Sequence, residues 1–429
     1  MLDLKYIREN SERVQKGLMS KGHKEDINDL LELDKERRGY LEEVEKLKHR
    51  RNVVSREIAD MKKNKEDASE LIVEMQTVAK NVKEFDNKIN DFSSKIDKIL
   101  FYLPNIPSDT VPEGKSEDDN VEMYTWGEKP VFDFPIKDHY TIGHNLGLFD
   151  FMRGSKISGS GFPLYMGKGA KLERALINFM IDFHVDKHGY KEVFPPFLVN
   201  RDSTAGTGQL PKLEDDMYYC EVDDLFLIPT AEVPVTNIFK NEILKNDELP
   251  IYLTAYSACF RREAGSYGKD TRGFQRVHQF NKVEMVKFTT PESSYDELET
   301  LLKNAEEILQ ALEIHYRVIE LCSADLSFAS AKTYDIEVWS PAQEKYLEVS
   351  SCSNFEDFQA RRIGIRYRRN SDGKVDFIHT LNGSGVATPR LLISILEAYQ
   401  NDDGSVSVPQ ALQPYMNTDL IRKEHDGTA

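Results

Sequence analysis

Two long apolar heptad series near the N-terminus restrict the fold of this chain more than any other feature. The first runs from Leu30 to Met61 and the second from Leu71 to Leu103, with steps that alternate between three and four residues. This spacing is typical of helices in a coiled coil. The polar segment NKEDAS (64–69) predicts a tight connection in which Asp67 or Ser69 caps the second helix.

The two series complement each other within one chain. When they are folded back at the polar segment, Met61 faces Leu71, and the same register continues to the pair Leu30 and Leu103. The pattern therefore predicts an antiparallel helical hairpin over about residues 27–103, with helices roughly 50 Å long. The alternative is that the heptads form a dimerisation coil, although in the hairpin each helix already covers the apolar face of the other.

Basic side chains collect along this predicted arm. Arg37 and Arg51 interrupt the apolar series, and we expect their stems to follow the seam while their charged ends reach solvent. A long cationic arm suits the phosphate backbone of a folded RNA that is recognised by its shape. The basic residues are Lys46, Lys48, His49, Arg50, Arg51 and Arg56, with Lys62, Lys63 and Lys65 at the tip.

The composition bounds the class of protein. With 429 residues, 40% of them hydrophobic and 30% charged, the chain is long enough for two domains with a sizeable core. Lys and Arg number 56 against 73 Asp and Glu, and the formal charge of −17 argues against a general nucleic-acid coat protein. No apolar run approaches the ~20 residues that span a bilayer, and the charged N-terminus lacks a signal core. We expect a cytoplasmic protein without a membrane partner.

The cysteine spacing and a proline-rich segment add two expectations. The cysteines show no CxxC spacing, which predicts neither a disulfide framework nor a zinc site. Pro104, Pro107 and Pro112 end the second helix, so we place a domain boundary near residues 108–120. This predicts an N-terminal domain of residues 1–108 and a second domain of 109–429. The cysteines are Cys220, Cys259, Cys322 and Cys352.

The segment from Tyr252 to Phe288 is the most informative part of the second domain. Its ends alternate apolar and polar residues, and GSYGKDTRG (265–273) between them is turn-like, which predicts a long antiparallel hairpin. Opposite charges around one aromatic ring suit a ligand with phosphates, a flat base and an amino group, whereas an ordinary solvated hairpin is the alternative. The residues expected on one face are Arg261 and Glu263 on the first strand, and Arg276, His278, Phe280, Lys282 and Glu284 on the second.

Three further segments carry structural signals. The glycine-rich segment 153–170 lacks a GK[ST] ending, so we expect a structural loop there, with a phosphate-binding loop as the alternative. Residues 172–183 have helical apolar spacing, and a strand with Pro195 and Pro196 follows. In LNGSGVATPRLLISILEAYQ (381–400), Thr388 is expected to cap a helix. Arg390 then lies at the positive end of the helix dipole, where a cation requires an anion nearby.

Together these segments resemble the class II aminoacyl-tRNA synthetases, in the wording of the bacterial-type seryl-tRNA synthetases. FRREAGSYGKDTRGF with HQFNKVEM (260–285) resembles motif 2, the helix and proline-containing strand resemble motif 1, and GVATPR resembles motif 3. TGQLPK (207–212) and LIPTAEVPVTN (227–237) are also similar to the family. The resemblance implies an α+β fold, in which an antiparallel two-helix coiled-coil arm precedes a catalytic domain with an antiparallel β-sheet flanked by helices.

The resemblance also implies an activity. ATP and L-serine would give seryl-adenylate and pyrophosphate, with Mg²⁺ on the phosphates, and serine would then move to the 3′ end of tRNA(Ser). It leaves open whether tRNA(Sec) is a second acceptor. The arm would hold the long variable arm of the tRNA, and motif 1 would form a homodimer interface.

The resemblance assigns roles to particular residues, with Arg261 and Arg390 as the catalytic pair. For ATP it implies Arg261, Arg262, Glu263, Phe280, Glu348, Val349, Ser350, Ser351 and Arg390. For serine it implies Thr230, Ala231, Glu232, Arg261, Glu284, Asn382 and Ser384, the last two on a loop before the final helix. Glu348 and Ser351, on two predicted strands within 333–353, would hold Mg²⁺ through oxygen atoms. The tRNA arm would use Lys46, Lys48, Arg50, Arg51 and Arg56.

The sequence departs from the family wording at a few positions. Ala324 and Ser327 stand where glycines are common, and GVATPR replaces GLAVGR. Two other functions stay open at this point. One is a related ligase that loads a carrier protein, against which the basic arm argues. The other is a catalytically inactive RNA-binding relative, against which the retained charged residues of the three motifs argue.

Overall fold

The computed structural model describes residues 1–264 and 273–423, which divide into two compact units, Met1–Pro104 and Asn105–Ala429. The first unit is helical, and its two long helices pack against each other over their length. Tyr40 on the first long helix stacks on Phe92 of the second, with ring centroids 5.8 Å apart. The predicted hairpin is therefore confirmed. The helices of this unit are α1 (Leu4–Glu9), α2 (Ser11–Ser20), α3 (Asn28–Lys63) and α4 (Ser69–Tyr102).

Details of the arm differ from the expectation. The residue that precedes α4 is Ala68, and the predicted cap acts from one position earlier, where Asp67 accepts a hydrogen bond from the Ser69 backbone N–H at 2.9 Å. Arg37 lies partly buried beside Asp34, whose carboxylate it contacts at 2.9 Å. Arg51 is exposed to solvent. Only one of the two seam arginines therefore has a charged partner within the helix bundle among the described residues.

The second unit is built on one large sheet. Within the described residues its eight strands follow the order β1 (Val121–Trp126), β9 (Tyr316–Glu320), β10 (Lys332–Ser340), β11 (Lys345–Asn354), β14 (His379–Ala387), β8 (Gln279–Thr289), β7 (Ile251–Phe260) and β2 (Lys191–Glu192). They are antiparallel except for the short β2–β7 pair. Helices α7 (Gly167–His188), α10 (Ser294–Ala311) and α12 (Thr388–Ala398) pack against the sheet around a core that includes Leu176, Leu301 and Leu392. The α+β class is confirmed.

The helices of the second unit are α5 (His139–Leu146), α6 (Phe151–Ser158), α7 (Gly167–His188), α8 (Arg201–Thr207), α9 (Glu232–Thr236), α10 (Ser294–Ala311), α11 (Phe358–Ile363), α12 (Thr388–Ala398) and α13 (Gln413–Met416). The strands are β1 (Val121–Trp126), β2 (Lys191–Glu192), β3 (Leu198–Asn200), β4 (Tyr219–Cys220), β5 (Leu225–Leu227), β6 (Ile243–Lys245), β7 (Ile251–Phe260), β8 (Gln279–Thr289), β9 (Tyr316–Glu320), β10 (Lys332–Ser340), β11 (Lys345–Asn354), β12 (Arg366–Arg368), β13 (Val375–Phe377), β14 (His379–Ala387), β15 (Val406–Ser407) and β16 (Leu420–Ile421). No helix in the described ranges is both long and apolar enough to cross a bilayer.

The central hairpin is shorter than the sequence predicts. Strands β7 and β8 pair from Ile251 to Phe260, and the Arg261 backbone N–H still donates to the His278 carbonyl at 3.0 Å, so Glu263 and Arg276 lie beyond the paired region. The chain bends there because Glu263 has a φ of 51°, in the left-handed region that strands do not use. Residues 265–272 of the predicted turn lie outside the described residues.

Two other local predictions are corrected. The first part of the glycine-rich segment is helical, because Asp150 accepts a hydrogen bond from the Arg153 backbone N–H at 2.7 Å and begins α6. Asn382 and Ser384 lie on β14 and not on a loop. Their strand pairs with β8 and β11, which places both residues in the middle of the sheet.

Candidate active site

The segments that follow β7 and precede β8 border a cavity of about 530 Å³. A smaller cavity of about 70 Å³ adjoins it, and both share Arg261, Glu263 and Glu348 in their walls. One connected hollow therefore contains residues from all the predicted site segments. The predicted residues in its walls are Thr230, Glu232, Arg261, Glu263, Glu348, Ser351, Asn382 and Ser384, with Phe280, Val349 and Arg390 on the smaller side.

Four predicted residues are not part of these walls in the described structure. Ala231 is buried in a core cluster, whereas Arg262 is exposed and its backbone N–H donates to the Asp216 carbonyl at 2.8 Å. The Ser350 hydroxyl donates to the Ser384 carbonyl at 2.6 Å and so ties β11 to β14. Glu284 is only 1% exposed and lies behind the wall, in contact with side chains that line the hollow.

Glu284 is held by three neighbours at one end of the hollow. The Thr230 hydroxyl donates to one carboxylate oxygen at 3.2 Å, and the Asn382 amide donates to the other at 3.1 Å. The Lys282 ammonium lies 2.6 Å from Oε2. Because these contacts are buried, the carboxylate has a fixed position and little screening by solvent.

A second buried carboxylate lies close to this group. Burial, and then the charge of Glu284, raises the pKa of Glu232 to about 7, while the Gln359 amide donates to it at 2.7 Å. Two neighbouring carboxylates that resist ionising together are stabilised by a cation placed between them. This end of the hollow can therefore receive an ammonium group.

The other end of the hollow combines an aromatic ring with cations. The Arg261 guanidinium lies 5.1 Å from the centroid of the Phe280 ring, and its Nε donates to the Pro229 carbonyl at 3.4 Å. Glu263 pairs with Arg276 at 2.9 Å. A flat base can stack on the exposed part of such a ring, while the guanidinium groups attract phosphate oxygens.

Arg390 lies in the first turn of α12, where we expected that it would require an anion. The Nη1 atom of Arg390 donates to the Glu348 backbone carbonyl at 2.7 Å and lies 3.3 Å from the Glu348 carboxylate. This carboxylate supplies the negative charge at the positive end of the helix. An arriving phosphate can take over that role because both side chains remain partly exposed.

The predicted cap of α12 is wrong. Thr388 is the first residue of the helix, and its hydroxyl donates to Glu173 at 2.5 Å and to the Asn281 carbonyl at 3.0 Å. Glu173 on α7 also accepts from the Asn281 amide at 2.8 Å, and burial raises its pKa to about 7. This buried junction joins α7, β8 and α12 directly behind Phe280 and Arg390.

The oxygen donors near Glu348 fit a hard divalent cation. Glu348 and Ser351 face both the main cavity and an acidic cavity beside it. No three His, Cys, Asp or Glu side chains converge as a ready-made metal cage in the described part of the chain. Mg²⁺ does not require such a cage, because it combines one or two carboxylates with waters and substrate phosphates.

Some residues that line the hollow were not predicted as site residues. Lys282 and Arg276 were placed on the hairpin face but given no role, although both line the main cavity. Gln209 also lines it, within the quoted segment TGQLPK. The alternation of β8 was the available signal, since Lys282 shares a face with Glu284. His278, predicted on that face, packs instead against Phe162 at 5.4 Å between ring centroids.

Two of the departures from the family wording, Ala324 and Ser327, leave the backbone in ordinary conformations, whereas Val386 in GVATPR has a φ of 92°. Neither Ala324 nor Ser327 is among the described residues with a positive φ, so this loop does not require glycine at either position. Ser327 contributes to the wall of the main cavity. The loop shape is therefore compatible with the residues present.

Comparison with known proteins agrees with this geometry. Residues 216–399 match the family model of the class II tRNA synthetase core domain (G, H, P, S and T), and residues 1–107 match that of the seryl-tRNA synthetase N-terminal domain. The chain is 57% identical to the serine–tRNA ligase of Chloroherpeton thalassium over 426 residues, which cover 98% of this chain and 100% of that protein.

Solved structures are similar over almost the whole chain. The seryl-tRNA synthetase of Pyrococcus horikoshii complexed with ATP has a TM-score of 0.94 and 40% identity, covering 99% of this chain and 100% of that one. The cytoplasmic serine–tRNA ligase of Naegleria fowleri in complex with AMP has a TM-score of 0.89 and 29% identity, covering 99% of both chains.

The antiparallel sheet, the shortened hairpin and the arginine at the start of α12 define a class II aminoacyl-tRNA synthetase. Within that class, the similarity over the full length of the chain identifies one family. The chain belongs to the seryl-tRNA synthetase family.

Proposed function

We propose that the protein is a serine–tRNA ligase, which activates L-serine with ATP and transfers it to tRNA(Ser). The observation that carries the proposal is the division of one hollow into two chemically different ends. Glu284 and Glu232 lie at one end, and Phe280, Arg276 and Arg390 lie at the other. An ammonium group fits the first end and a nucleotide fits the second.

Arg261 lies between the two ends and borders both cavities. We place the serine carboxylate and the α-phosphate of ATP beside it, so that its guanidinium stabilises the negative charge as the carboxylate oxygen attacks phosphorus. Pyrophosphate then leaves and seryl-adenylate remains. This step requires no side-chain nucleophile, and the protein contributes chiefly by placing the two reactants next to each other.

The serine end explains how the substrate is selected. Glu284 receives the ammonium group, with Glu232 nearby, while Thr230, Asn382 and Ser384 surround the place for the hydroxyl group. A site that hydrogen-bonds a hydroxyl rejects a substrate without one, because its own polar groups would be left unpaired. Threonine is excluded by its additional methyl group.

The nucleotide end supports the remaining assignments. Adenine lies against Phe280, Glu263 faces the adenosine side, and Arg390 faces the phosphates. Glu348 and Ser351 are the proposed ligands of Mg²⁺, which neutralises phosphate charge when it is bound. Val349 lines the smaller cavity, whereas Ala231, Arg262 and Ser350 contribute through their backbone or as supports.

The partners follow from the same proposal. The helical hairpin of the first unit would hold tRNA(Ser) through exposed basic side chains, and α7, which carries the motif 1 segment, would contribute to a homodimer. Selenocysteine tRNA as a second acceptor and a cytoplasmic location stay predictions.

The proposal is tested by ATP–pyrophosphate exchange with serine, threonine, alanine and glycine. We expect exchange with serine, and a loss of kcat/KM on the order of 10⁴-fold with alanine, because the analogue lacks the hydroxyl group. Exchange that depends on another amino acid, or no exchange with any of the four, would contradict the proposal. Charging of bulk tRNA with serine then checks the second step.

A further inference from the structure

A second, strongly acidic cavity of about 680 Å³ lies beside the proposed active site. The two cavities meet at Ser327, Glu348, Ser351 and Ser353, which line both. Anything bound in the acidic cavity is therefore next to the proposed ATP phosphates. Its carboxylates come from Glu117, Asp118, Glu122, Asp325, Asp335, Glu337 and Glu348.

Most of these carboxylates can be balanced without a bound ligand. Arg317 pairs with Glu337 at 2.6 Å and with Glu122 at 3.1 Å. Asp325 accepts a hydrogen bond from the Asn120 amide at 2.8 Å and is exposed. Glu348 lies 3.3 Å from Arg390.

Asp335 is different because it is buried and its surroundings are negative. Its side chain is 9% exposed, and its Oδ1 atom has no hydrogen-bond partner among the described residues. A buried polar atom without a partner is costly, so this oxygen requires an explanation.

The strand register places Asp335 directly beside the proposed metal ligands. Asp335 on β10 is opposite Ser351 on β11, and a bulge after Ile336 brings Glu337 opposite Glu348. The side chains of Asp335, Glu348 and Ser351 thus line one cavity from two adjacent strands.

We propose that Asp335 is a third protein ligand of the divalent cation, together with Glu348 and Ser351. This inference rests on the proposed function, which supplies the first two ligands. A cation between Asp335 and Glu348 removes the repulsion between the two carboxylates and gives the buried oxygen its missing partner. A site of two carboxylates and one hydroxyl leaves positions for water and phosphate oxygens, as Mg²⁺ requires.

The test uses Mn²⁺ alone, without ATP or serine, and measures its binding to the full chain by the electron paramagnetic resonance signal of free Mn²⁺. We expect Asp335→Asn to weaken the tightest site at least tenfold, as Glu348→Gln should also do. Asp325→Asn is the matched control, because it removes one charge from the same cavity but no buried, unpartnered oxygen. We expect the control to change Mn²⁺ affinity less than about threefold, through the general field alone.

The outcomes separate this inference from the proposed function. An unchanged Mn²⁺ affinity in Asp335→Asn, or an equal loss in Asp325→Asn, would overturn the role of Asp335 even if the unaltered protein exchanges pyrophosphate with serine. A second readout is the Mg²⁺ concentration that half-saturates exchange, which should rise in Asp335→Asn. If that variant does not fold, as judged by circular dichroism, Asp335→Ser replaces it in both measurements with the same expected losses.

Discussion

Two glutamate–cation pairs of similar geometry lie in different regions of this protein and have different consequences. In the active-site hollow, Glu284 and Lys282 are 2.6 Å apart and their side chains are 1% and 8% exposed. In the arm, Glu74 and Arg50 are 2.9 Å apart and are 39% and 48% exposed. Water screens the second pair and not the first, so exposure decides what each charge contributes.

The largest effect is expected when the same change is made in both pairs. Glu284→Gln should lower kcat/KM for serine in pyrophosphate exchange about 100-fold or more, since truncating one partner of a buried charge pair costs about 2–5 kcal/mol of binding free energy. Lys282 would lose its ion pair, and the serine ammonium would lose its carboxylate. Glu74→Gln, the matched control in the arm, should leave the exchange rate and the unfolding temperature unchanged within reproducibility.

The measurement distinguishes binding from misfolding. The loss in Glu284→Gln should be a loss of serine recognition, so the affinity for ATP and the unfolding temperature are measured alongside. A similar loss in both glutamine variants would break the comparison, because it would mean that exposure does not separate the two regions.

The same contrast shows what could be predicted from sequence. The arm follows from heptad spacing, because periodicity places each residue of a long helix with few long-range contacts. The extent of the central hairpin does not, since the residues on both sides of Glu263, Arg262 and Ala264, donate their backbone N–H groups to Asp216, which is far away in the sequence. The cap of α12 was wrong for a similar reason, because Thr388 is engaged by Glu173 from another helix.

The candidate site, too, could be predicted only in part. Motif resemblance located Arg261, Glu284 and Arg390, which the structure brings to one hollow or its edge. It did not indicate that Asp335 has a buried carboxylate oxygen without a hydrogen-bond partner among the described residues. Alternation along a strand assigns a face, whereas burial depends on what other strands and loops place above that face.

An intermediate effect is expected at the buried junction behind the nucleotide end. Burial raises the pKa of Glu173 to about 7, above the value of 4.5 for an exposed glutamate. The native state therefore holds a proton there that the unfolded state releases between these values, and stability falls as the pH rises from about 4.5 through 7. The difference is on the order of 3 kcal/mol.

Glu173→Gln should remove this part of the pH dependence. Denaturant unfolding at several pH values measures it as the difference in slope between the variant and the unaltered protein. Glu232, which also has a pKa raised to about 7, is present in both and cancels from the comparison. Parallel stability curves for the two proteins would show that Glu173 does not exchange a proton on unfolding in this range. Tyr165 and Tyr256 lie close enough to Glu173 to interact with its charge, but their own pKa values are raised, so both stay neutral between pH 4.5 and 7.

The smallest effect is expected for the exposed charges of the arm. It tests whether an ion pair with a nearby carboxylate changes what a basic side chain contributes to tRNA binding. Lys46 lies 2.8 Å from Glu43 and Lys48 lies 3.6 Å from Asp86. Arg51 and Arg56 are exposed, and no side-chain hydrogen bond or ion pair involves them in the described structure. Cations without acidic neighbours are freer to contact phosphates.

The double variant Arg51→Gln with Arg56→Gln should therefore lower kcat/KM for tRNA several-fold to about tenfold and leave pyrophosphate exchange unchanged. It should also reduce the dependence of log kcat/KM on log salt by about two, one for each lost phosphate contact. Lys46→Gln with Lys48→Gln removes the same formal charge and is the matched control, with a smaller expected loss because each lysine already shares its charge with a carboxylate. Equal losses in the two double variants would mean that tRNA responds to the total charge of the arm and not to the unpaired arginines.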